Sequence, residues 1–91
     1  MQKITDYQAP SIEDLAKLKN DLGYTGEQMA ELAGLAGNNQ WRKYTGGAQP
    51  REMGMHMLFF IAAKLTLTNE ELERVFKKMR LIGAKLKESE K

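Results

Sequence analysis

The sequence predicts an all-α fold, a compact bundle of about five helices, and three observations carry that expectation. Leu, Ala and Met supply most of the apolar content and β-branched residues are few, a balance that favours helix over strand. Apolar residues recur at spacings of three and four through most of the chain. Helix-start residues stand where those runs begin: Ser11 ahead of Asp14, Thr25, and Thr68 ahead of Glu71. At 91 residues the chain is expected to build one small core. It has no cysteine, so disulfides and thiolate zinc sites are not available to staple that core.

Taken in order, residues 1–10 read as a flexible arm ending at Pro10, and residues 11–88 as a single domain. The first helix is expected from Ile12 to about Leu22, with Ile12, Leu15, Ala16, Leu18 and Leu22 facing inward and Gly23 stopping it. The second is capped by Thr25, carries Glu27 and Gln28 in its first turn and ends at Gly34. The third contains Trp41 and Tyr44, three apart and therefore on one face. If Gln40 faced the core instead, an amide would be buried while an indole met solvent, a costly exchange. Trp41 therefore points inward, Gly37 lies near the cap, and Gly46-Gly47 ends the helix.

The fourth helix, about 51–65, begins after Pro50 and has almost no polar face, so it is expected to be covered on more than one side. The fifth, about 69–87, carries Leu72, Val75, Phe76, Met79, Ile82 and Leu86 as its inward positions. His56 is the only histidine and has no ligand partners in its stretch. Met53, Met55 and Met57 read as core filler. The N-terminus has no apolar signal region, and no segment approaches the ~20 apolar residues of a membrane span. A soluble, cytoplasmic protein without a membrane partner is expected.

Function is expected to reside in residues 25–46, a helix, a glycine-containing turn and a second helix. That second helix has an apolar side and a side of amides and bases, the chemistry that reads base edges in a major groove. Net charge is only +2, but Arg42, Lys43 and Arg51 lie in a segment from Gly34 to Arg51 that contains no acid. Such a distribution fits a specific binder with a modest nonspecific term.

The segments T-G-E-Q-M-A-E-L-A-G-L, N-N-Q-W-R-K-Y-T-G-G and A-Q-P resemble the phage-repressor-like helix-turn-helix family, the XRE or lambda-repressor-like domains. The closest likeness is to small phage or prophage regulators with a W-R-[RK]-[WY] recognition helix. It covers Tyr24 to about Leu65. Ala30 and Gly34 match the small residue inside the second helix and the turn glycine, and Trp41 matches the core position of the recognition helix. Gly26 stands where many members carry Gln, and the segment from Gly34 to Trp41 is one residue longer. The resemblance implies base-reading positions at Asn38, Asn39 and Lys43, with Gln40 and Arg42 on their flanks. Thr25, Gln28 and Arg51 would approach phosphates.

The expected protein is a DNA-binding transcriptional regulator, a repressor of phage or mobile-element type. Its partner would be double-stranded DNA with a two-fold symmetric operator, bound by a homodimer formed through the C-terminal helices. A rival reading keeps the fold but docks on a host polymerase, nuclease or toxin through those apolar helices. No cofactor is expected, and no nucleophile–base pair, phosphate loop or metal site suggests an enzyme.

Overall fold

The computed structural model describes residues 3–86. It is all-helical: α1 (Ile12–Leu22), α2 (Gly26–Ala33), α3 (Asn38–Thr45), α4 (Met55–Thr66) and α5 (Asn69–Ile82), with no strand among the described residues. The chain divides into two compact units between Ile61 and Ala62, within α4.

In the first unit, local capping sets the helix starts. The Ser11 hydroxyl accepts from the Asp14 amide at 3.0 Å, and the Asp14 carboxylate accepts from the Ser11 amide at 2.9 Å. Thr25 and Gln28 repeat the arrangement at the start of α2, at 3.2 and 2.8 Å. Each box satisfies two amides that the first helical turn leaves without partners. Gly23 and Gly34 close α1 and α2 in the left-handed region, at φ 69° and 75°, where a side chain would be strained.

The core gathers Leu15 of α1, Met29, Ala30, Leu32 and Ala33 of α2, Trp41 of α3, Met53, and Ile61 of α4. Trp41 is buried as its spacing requires. α3 packs against both α1 and α2. The inward stripe of α1 is narrower than expected. Leu15 is buried and Leu18 and Leu22 are half-buried, whereas Ile12 and Ala16 are exposed.

α4 begins at Met55 rather than near 51. Residues 51–54 are irregular because tertiary bonds hold their backbone elsewhere. The Arg51 amide donates to the Lys43 carbonyl at 2.7 Å, and the Met53 carbonyl accepts from the Tyr7 hydroxyl at 2.6 Å. Met53 reaches the core from this segment and is 1% exposed. The arm, residues 3–10, has no regular structure, and Tyr7 gives it an anchor that the sequence did not reveal.

In the second unit, Thr68 and Glu71 form a third capping box, at 2.8 and 3.1 Å. α5 ends at Ile82, with Gly83 following at φ 131°. The apolar spacing through Leu86 predicts a helix to about 87, past this glycine; Lys87 lies outside the described residues. No residue of α5 is buried. Leu72 and Phe76 are half-buried, and Val75, Met79 and Ile82, expected inward, are exposed. In α4, Ile61 is buried and Met55, Met57, Leu58, Ala63 and Lys64 are half-buried, whereas Phe59, Phe60 and Leu65 are exposed. Among the described residues, no helix is long and apolar enough to cross a membrane.

Candidate nucleic-acid interface

With Trp41 buried and Tyr44 half-buried, the helical repeat turns Asn39, Arg42, Lys43 and Gly46 to the opposite side of α3. These four line one open polar cleft with Gln49 and Arg51. Asn39, Arg42, Lys43 and Arg51 are all exposed, and no acid lines the cleft. Arg51 is held there twice. Its amide bonds the Lys43 carbonyl, and its guanidinium lies over the Tyr44 ring, 5.9 Å from the centroid, within cation–π range. Basic residues at this end of α3 also complement the negative end of the helix dipole.

Asn38 sits apart from that cleft. It lines a second cavity with Leu15, Lys19, Gly26 and Trp41. A Cβ at Gly26 would fall on the Asn38 carboxamide, so the side chain lies across the space this glycine leaves open. Arg42 borders both cavities. Gln40 is half-buried and is not among the residues lining either one. Thr25 and Gln28 are exposed at the start of α2, with their side-chain oxygens engaged in its capping box.

Glu27 is the neighbour that sequence reasoning missed. Its Oε2 lies 3.4 Å from the Asn38 amide nitrogen, at a helix start whose own cap residue, Gly37, provides no side-chain hydrogen bond. An acid from α2 thus stands at the positive end of α3. Its position one residue into α2 explains a first-turn acid fully, so no local signal marked the second role. Gln49 also borders the first cavity and Lys19 the second.

No protein-family model matches the chain, and neither a curated protein nor a solved structure does.

Proposed function

We propose that the chain is a sequence-specific DNA-binding transcriptional regulator, a repressor of phage or mobile-element type acting in the cytoplasm rather than an enzyme. The observation that carries this reading is the exposed face of α3, where an amide and two cations converge with Arg51 in a cleft lined by no acid. Asn pairs bidentately with adenine, and Arg or Lys with the guanine edge. Asn39, Arg42 and Lys43 are the base readers in this account. Arg51 and the start of α2, with Thr25 and Gln28, meet the phosphate backbone. Asn38 serves the placement of α3 on α2, which its packing against Gly26 supports. A homodimer would present two such helices to half-sites about one DNA turn apart.

Selection of binding sites from a random duplex pool at physiological salt tests this. A two-fold symmetric consensus is expected. An unenriched pool, with the protein folded by circular dichroism, would reject it.

The second reading, docking on a host protein, is favoured by one observation: Phe59 is 68% exposed and Leu65 41%, large apolar surfaces at odds with a freestanding helix. Salt separates the two. DNA affinity falls steeply as salt rises, whereas apolar docking hardly changes.

A further inference from the structure

Val75, Met79 and Ile82 follow one another at spacings of four and three, so they form one stripe along α5. They are 45%, 39% and 79% exposed. A stripe of this kind is a helix-pairing seam. The charges beside it are sorted along the helix axis. Glu71, in the first half of α5, and Lys78, in the second, flank the stripe on one side, while Glu70, Glu73, Lys77 and Arg80 fall on the far side of the helix. Val75 lies near the midpoint, with Arg74 next to it.

We infer that this face of α5 is a docking surface for α5 of a second copy of the chain, arranged antiparallel. The charge order selects both occupant and direction. Two identical helices side by side in parallel would set acid against acid and base against base. Turned head to tail, Glu71 of each copy meets Lys78 of the other, and the seams cross near Val75. One surface then complements itself about a two-fold axis. Flanking charges of this kind fix orientation more than they add affinity. A pair of four-turn helices buries less than the ~1,200 Å² of a standard stable interface, so the complex is weak, with dissociation in the micromolar range. The inference concerns α5 alone and does not depend on what α3 binds.

The chain has no cysteine, which makes single-cysteine variants of the full chain clean probes of direction. In the antiparallel pair, Val75→Cys places two thiols at the crossing point. Ile82→Cys places them roughly 20 Å apart, given a rise of ~1.5 Å per residue, beyond the ~7 Å between Cα atoms that a disulfide tolerates. Both positions are exposed, so folding is retained and can be verified by circular dichroism. The expected result is a disulfide-linked dimer for V75C and none for I82C beyond the level of a Glu13→Cys control. Sedimentation of the unmodified chain is expected to show dimerisation that weakens several-fold as salt rises from 50 to about 500 mM, where charge attraction is screened. Efficient oxidation of I82C, or association that strengthens with salt, overturns the direction. A monomer at ~100 μM, with V75C no more reactive than the control, overturns self-docking itself and leaves the face to a different protein.

Discussion

The Glu27 carboxylate stands 3.4 Å from the backbone nitrogen of Asn38, so α2 supplies the acid that caps α3. The same acid sits beside the helix face proposed to meet DNA, where it would repel phosphate. Glu27→Gln retains an acceptor oxygen and removes the charge. It is expected to lower stability by roughly 0.3–1 kcal/mol at low ionic strength, the usual size of a charge–dipole contact at a helix end. Affinity for the selected DNA site is expected to rise. Urea titration and fluorescence anisotropy read the two effects separately, and a fall in both would mean that Glu27 chiefly orients α3.

Gly26 and Asn38 are coupled by space. A methyl at Gly26 would displace the Asn38 carboxamide, the mobile end of a side chain, so Gly26→Ala forces a rotation rather than a backbone shift. The higher helix propensity of Ala, up to ~1 kcal/mol, opposes that cost. A double-mutant cycle with Asn38→Ala should therefore be non-additive by about 0.5 kcal/mol or more, the range seen for residues in contact. Additivity would show that the two residues do not share that space in solution.

Tyr7 and Met53 join segments far apart in the chain, through the 2.6 Å bond from the Tyr7 hydroxyl to the Met53 carbonyl. Tyr7→Phe should cost about 0.5–1.5 kcal/mol, the net value of one such bond. Met53→Ala, at a position 1% exposed, should cost about 2–5 kcal/mol by leaving a cavity. Thermal unfolding ranks them. Equal losses for the two variants would argue that the arm, rather than the methionine, seals this side of the core.

What the sequence could and could not reveal follows from the range of each interaction. Ser11 with Asp14 and Thr68 with Glu71 are partners three residues apart, so their capping boxes were legible, as was the inward turn of Trp41 from the cost of the alternative. The Tyr7–Met53 bond, the descent of Met53 from an irregular segment and the contact of Asn38 with Gly26 depend on tertiary placement. They have no signature in local spacing. At the candidate site, the exposed faces of Asn39, Arg42 and Lys43 followed from the phase set by Trp41. The separation of Asn38 from them did not. At α5, apolar spacing through Leu86 competed with Gly83, and the glycine ended the helix.

Acid should loosen α1. The Ser11 backbone amide, and then its hydroxyl, hydrogen-bond the Asp14 carboxylate and hold its pKa below the unperturbed 3.8. A group depressed in the folded state contributes stability above its unfolded pKa and loses that contribution as pH falls through the folded value. Asp14→Asn should therefore be less stable than the parent chain at pH 6, with the gap closing below about pH 4. Melting temperatures of both proteins across that range provide the measurement. A gap independent of pH would mean that the carboxylate contributes through shape rather than charge.

Asn38 and Asn39 are adjacent in sequence but face different surroundings, and this makes the sharpest test of the proposed DNA contact. Asn39 is exposed and lines the basic cleft, whereas Asn38 is half-buried against Gly26. Asn39→Ala should cost about 1–3 kcal/mol of discrimination at one base position, the value of a bidentate pair, with the melting temperature nearly unchanged. Lys43→Ala should cost discrimination of similar size at the base it reads, again without loss of fold. Asn38→Ala should do the reverse, lowering stability while leaving the base preference intact. Binding to the selected site and to single-base variants, measured beside thermal unfolding, distinguishes these outcomes. If Asn38→Ala relaxed the base preference at full stability, its side chain must leave Gly26 on binding and enter the groove itself. The reading surface would then extend across the start of α3, past Glu27.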